Sequence, residues 1–371
     1  MNKPSYPFGQ IIFRFLSIVS IVSVLASCQL LPSAQTETPV SATLSETIPT
    51  HESITPVLPG TFQTSLLNPL DKPHTYINET CRYLRNKWNP SNAEPGTVVM
   101  VILIKNINRG TAELPDSISV GELITLMNQL REQGFEAINT KQLQAFVERN
   151  VRIPPRSVMI IQDGNHDAEY FDKVFREYWE NWGWTIVNGW VSGPDLPESL
   201  IQENIELERE GFVDHQARGA FPDTKLSDES AKNVIARELQ GSWSGFESYF
   251  AKNPVAFIWP NGGFGVRPVE AARQLRFRLG FTSNTRGPIM YNWVPLANEV
   301  DPLRPDFLPE GRVNVPPMTL PTYSPNEALI AIDTVRLIGK EAATYAQSNK
   351  DIEHEYYEIV CAEEYGPMPT P

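Results

Sequence analysis

Seven consecutive apolar residues, Val98–Ile104, constrain this chain more than any other feature. A strand with one wet face alternates apolar and polar residues. An unbroken, β-branched-rich run is a strand buried on both faces. Another buried strand is read over residues 157–161, after Pro154-Pro155. Between the two, Ser119 and Glu122 have the spacing of a capping box. They open a helix with Val120, Leu123, Ile124, Met127 and Leu130 at helical spacing, ended by Gly134. A shorter helix is predicted over 141–149. Farther on, helix patterns cover 167–182, 200–210, 228–250 and 268–275, with strands at 184–190, 255–259 and 279–282. A helix over 326–347, with Ile330, Ile332, Val335, Ile338 and Ala342 as its stripe, packs on one side. Such β-α alternation predicts an α/β fold, a parallel sheet covered by helices. Chemistry then belongs at the carboxyl ends of the strands. Three polar clusters fall there: Gln162-Asp163-Gly164, Asp214-His215 and Pro260-Asn261-Gly262.

The first residues read as a targeting segment. Lys3 and Arg14 flank the start of an apolar stretch, 11–25, that ends in Leu25-Ala26-Ser27-Cys28. Small residues before a cysteine resemble the lipobox of bacterial lipoproteins. The expectation is a signal peptide over 1–27, acylation of Cys28, and a disordered Ser/Thr/Pro-rich tether over 28–69. The folded domain is expected over 70–371, at the outer face of a bacterial membrane in the cell envelope.

With 31 basic against 44 acidic residues the formal charge is −13. No run of basic residues interrupts it, which disfavours nucleic acid and anionic headgroups. A local pocket can still differ from this long-range field. Cys81 and Cys361 lie near the two ends of the folded region. A bridge between them would stabilise by about 5 kcal/mol on the chain-entropy model. Two free thiols are the alternative. Neither cysteine has the CxxC or CxxH spacing of a metal site.

Five segments between 97 and 285 occur in the order found in polysaccharide deacetylases, the NodB-homology or carbohydrate esterase family 4 proteins. The helix from Ser119 with Gly134-Phe135 resembles that family's first helical element. Pro154-Pro155-Arg156-Ser157-Val158 leading to Asp163-Gly164 resembles its "PPKSVVLTFDDG". Gly211-Phe212 to His215, then Lys225-Leu226-Ser227-Asp228-Glu229, resembles its histidine motif. Ala256-Phe257-Ile258-Trp259-Pro260-Asn261-Gly262-Gly263 resembles "AFAYPYGG", and Leu279-Gly280-Phe281-Thr282 a late strand. The resemblance implies a distorted (β/α) barrel and removal of acetyl groups from N-acetylated polysaccharide. It also implies a divalent, zinc-like metal held by one aspartate and two histidines, with a second aspartate as base.

Carried over position by position, the machinery is incomplete. Asp163 matches the metal-ligand aspartate, but Gln162 stands at the base position, and an amide accepts no proton near neutrality. His215 matches the first histidine ligand, whereas Gly219 stands at the second and offers no donor. Lys105 stands where many relatives have a histidine. An Asp163/His166/His215 trio is the alternative ligand set. Lys105, Trp259, Pro260 and Asn261 are the substrate-binding candidates, with Trp259 either stacking on sugar or packing in the barrel. Three functions stay open: a surface domain that binds N-acetylated glycan with catalysis weakened or lost, an active deacetylase with rearranged ligands, and a structural lipoprotein.

Overall fold

A computed structural model of the chain describes residues 55–110, 114 and 116–370. Cys28, the signal segment and most of the expected tether lie outside these residues. In chain order the elements are β1 (Asp71–His74), α1 (Thr80–Trp88), β2 (Val98–Ile104), β3 (Asn106–Asn108), β4 (Ser117–Ser119), α2 (Val120–Glu132), β5 (Glu136–Ala137), α3 (Thr140–Arg149) and β6 (Arg156–Asp163). Next come α4 (Ala168–Val174), α5 (Arg176–Trp182), β7 (Ile186–Trp190), α6 (Glu198–Glu210), β8 (Val213–Ala217), α7 (Lys232–Phe250), β9 (Ala256–Ile258), α8 (Val266–Gln274) and β10 (Leu279–Phe281). β11 (Val294–Ala297), α9 (Pro325–Tyr356) and α10 (Ala362–Tyr365) complete the order.

The principal sheet is parallel, in the order β10-β9-β8-β7-β6-β2, with β5 beside the amino end of β6. Its two edges are brought together by a segment that is not itself a strand. Thr282 N–H donates to Leu320 O at 2.9 Å on the β10 side, and Tyr323 N–H donates to Val101 O at 2.7 Å on the β2 side. The sheet thus curls into a distorted barrel. Gly280 makes the closure possible, because a Cβ there would collide with the Met318 carbonyl.

Alternate residues of each strand serve different layers. Met100, Ile102, Val158, Ile160, Ile186 and Val213 face outward against helices α2, α4, α5 and α9. Val99, Val101, Met159, Ile161, Val187 and Ile258 face the barrel interior, which α3 helps fill with Leu143 and Phe146. The capping box at Ser119 and Glu122 forms, and α2 buries Leu123, Leu126, Met127 and Leu130, leaving Val120 and Ile124 exposed. Phe175, fully buried, leaves helical geometry and divides 167–182 into α4 and α5. Helix α9 is longer than its pattern implied and exposes Ile330.

Residues just before 70 are not tether. The Trp293 Nε1–H donates to Phe62 O at 3.0 Å, the Tyr345 hydroxyl donates to Gly60 O at 2.7 Å, and Phe62, Leu66 and Leu67 pack against the core. Three apolar side chains are enough to dock a stretch whose composition otherwise reads as unstructured. Cys81 and Cys361 are joined, with Cα atoms 5.4 Å apart, which fastens α1 to the turn before α10. Among the described residues no helix is long and apolar enough to cross a membrane.

Candidate functional site

The register of three strands decides where the site residues point. Asp163 pairs with Gly189, and Gly189 with Gln216; Gln162 pairs with Asn188, and Asn188 with His215. Since neighbours along a strand face opposite ways, Asp163 belongs to the inner row, while Gln162 and His215 belong to the outer one.

Contacts follow this parity. The Gln162 amide is buried under α4, where its Oε1 accepts from the Tyr170 hydroxyl at 2.9 Å and its Nε2 donates to Lys105 O at 3.2 Å. His166 stacks on Tyr170 with ring centroids 4.0 Å apart, and burial lowers its pKa below the usual value. His215 lies under α6 and α7. Its Nδ1 is 3.1 Å from Glu208 Oε2, its Nε2 is 2.9 Å from Asn204 Oδ1, and its ring stacks on Phe250 at 4.5 Å. Burial pulls the His215 pKa down, with the Glu208 carboxylate opposing. Both ring nitrogens are taken, so neither is free for a metal.

On the inner row Asp163 meets a guanidinium. Arg218 Nε donates to Asp163 Oδ1, its Nη2 reaches Oδ2 at 3.1 Å, and its Nη1 donates to Pro222 O at 2.7 Å. The pair is buried, with side-chain exposures of 8% and 7%. A bidentate, charge-assisted pair saturates the carboxylate. Gly219, next in sequence, has φ 121°, and a Cβ there would sit 3.2 Å from Glu238 Oε2 and 3.3 Å from Pro260. Glu238 is itself fully buried and accepts from Ala220 N–H and Phe221 N–H, both at 3.1 Å, which fixes the loop after β8.

The residues expected to hold a divalent metal therefore do not fit one. Asp163 and His215 face opposite sides of the sheet, Asp163 carries a guanidinium, and Gly219 has neither a donor nor room for one. His166 does not complete a trio, since its Nε2 lies 3.2 Å from the Asp163 backbone oxygen and His215, on β8, stays bonded to α6. Among the described residues no group of three His, Cys, Asp or Glu is arranged to hold a metal ion.

The substrate-binding candidates are dispersed in the same way. Trp259 is 1% exposed, packs on Phe257 and donates to Met318 O at 2.8 Å. It is a barrel-packing residue, because its indole N–H is needed to hold the closing segment. Pro260 is buried, and Asn261 is exposed with φ 52°. Lys105 is drawn to Asp116 at 2.7 Å. The sequence reading missed Arg218, although a new cation beside a lost ligand was its visible sign. It also missed Asn204 and Glu208, polar residues four apart on α6 and thus on one face.

No protein-family model matches the chain, and no curated protein matches it by sequence. Solved structures do. The deacetylase PplD of Streptococcus pyogenes, determined in complex with acetate, overlays with a TM-score of 0.50 at 13% identity, covering 64% of this chain and 99% of that one. IcaB of Ammonifex degensii overlays with a TM-score of 0.48 at 12% identity, covering 66% and 98%. The curled parallel sheet, its helical cover and its strand-end segments give this chain the fold of the polysaccharide deacetylases, in a divergent form.

Proposed function

We propose that this chain is a non-catalytic protein of the deacetylase fold, lipid-anchored at the bacterial cell envelope through Cys28, that engages N-acetylated polysaccharide without hydrolysing it. The observation that carries the loss of catalysis is the Asp163–Arg218 pair. A metal would have to displace a buried guanidinium from the one carboxylate placed for it, and would find no second ligand. Gln162 supplies no base, and losing a general base alone costs about 10²–10⁴ in rate. The glycan reading rests on the fold, since the similar structure from Streptococcus pyogenes is a deacetylase. The lipid anchor rests on Leu25-Ala26-Ser27-Cys28.

A scaffolding lipoprotein is the second reading, favoured by the burial of Trp259 and the pairing of Lys105 with Asp116. Elemental analysis of the purified protein after dialysis against trace zinc, with a deacetylation assay on N-acetylated chitooligosaccharides and a glycan array, separates these two readings from each other and from an active enzyme. The expected result is sub-stoichiometric zinc, no acetate release and retention on N-acetylated glycan. Stoichiometric zinc that disappears in Asp163→Ala would return the chain to the enzymes, and an unresponsive array leaves the scaffold.

A further inference from the structure

Four arginines far apart in sequence meet at the other end of the barrel, where the strands begin. Arg82 of α1, Arg149 at the end of α3, Arg273 of α8 and Arg278 just before β10 line one cavity of about 630 Å³, bounded below by Asn314 and the turn after it. Glu148 is the one carboxylate in this lining, and Arg278 already holds it at 2.7 Å. Among the described residues the side chains of Arg82, Arg149 and Arg273 make no hydrogen bond or ion pair. The chain as a whole has a formal charge of −13, so this concentration of unpaired guanidinium is a local reversal of sign.

Like charges gathered without an internal partner repel one another, and an external anion relieves that repulsion. Guanidinium forks match carboxylate and phosphate oxygens in bidentate fashion. Ligand pockets run to roughly 300–1,000 Å³, and this cavity lies in that range. The Debye length is about 8 Å at physiological ionic strength, so a small anion inside the cavity feels mainly the arginines. A bilayer or a nucleic acid would also meet the rest of a chain whose formal charge is −13. The Cys81–Cys361 bond, beside Arg82, holds one wall in place.

We propose that this cavity binds an oxyanion-bearing saccharide unit, a sugar carrying phosphate or carboxylate. That the anion is carried on a sugar rests on the polysaccharide reading above; that the ligand is an anion rests on the arginines alone. The test is isothermal titration calorimetry of the whole protein with glucose 6-phosphate, inorganic phosphate, neutral glucose and phosphatidylglycerol vesicles. Glucose 6-phosphate is expected to bind, more tightly than phosphate, and glucose not at all. Arg149→Ala with Arg273→Ala should weaken binding at least about tenfold, two charge-assisted contacts being lost, while Arg209→Ala on α6 changes nothing. Thermal melts check that the variants fold. Equal affinity for phosphate and sugar phosphate overturns the sugar and keeps the anion. Tight vesicle binding lost in the double variant overturns it in favour of a membrane, and binding indifferent to the arginines, or none, overturns the site. Retention on N-acetylated glycan should survive the double variant, so the two readings fail separately.

Discussion

The two ends of the barrel treat charge in opposite ways. At the carboxyl end the ionic groups of the candidate site are answered from within the chain: Asp163 by Arg218, Lys105 by Asp116, and Glu238 by backbone amides. Behind it, Glu208 takes His215 and Lys252. At the amino end three of four arginines are left without a partner among the described residues. A buried charge must be paired, whereas an unpaired one at the rim of a cavity is free to meet a ligand. The end where this fold is expected to do chemistry thus has its site charges paired internally, and the opposite end holds the open electrostatics.

The contrast can be broken at its strongest point. Arg218→Ala should cost about 3–5 kcal/mol in chemical denaturation, because it strands a buried carboxylate. Adding Asp163→Asn should recover much of that loss. A variant that keeps full stability and takes up zinc would make the carboxyl end a metal site after all.

A second effect depends on pH. Burial alone would raise the Glu208 carboxyl, but the hydrogen bond from His215 and the charge of Lys252 outweigh it and hold the pKa at about 2, against 4.5 ordinarily. The native state therefore binds this proton less readily than the unfolded chain does. Its contribution is complete above pH 4.5 and is lost as the pH falls toward about 2. At 1.36 kcal/mol per unit this is up to about 3 kcal/mol. Melting temperature against pH should fall more steeply below 4.5 for the wild type than for Glu208→Gln; parallel curves would remove Glu208 from the internal pairing.

The smallest effect sharpens the comparison. Gln162→Asp with Gly219→His restores the residue types of an enzyme site, yet the histidine enters at φ 121° against Glu238 and Pro260. A cost of about 1–3 kcal/mol is expected for that backbone strain. Zinc calorimetry should show no gain. Micromolar zinc binding by this variant would mean that the carboxyl end can still rearrange into a ligand set.

Much of the fold was legible in the sequence. The run Val98–Ile104 is β2 with every residue buried, and the Ser119/Glu122 pattern caps α2. These are local signals, carried by period and by side chains within one turn of each other. Ile330 was misassigned because one helical position shifts a residue from stripe to solvent, and the neighbour that sets the phase of α9 is remote in sequence. The stretch at 58–67 was hidden by its composition and placed only by Trp293 and Tyr345.

For the site, the sequence by itself determined which groups are missing: no base at 162 and no donor at 219, since chemistry follows from residue type alone. Only the tertiary structure decided what the remaining groups do. Whether Asp163 and His215 share a face depends on the pairing of β6 with β7 and of β7 with β8, and one step of register reverses every side chain. Likewise, residues 82, 149, 273 and 278 become one charged cavity only when α1, α3 and α8 are brought to the same end of the barrel.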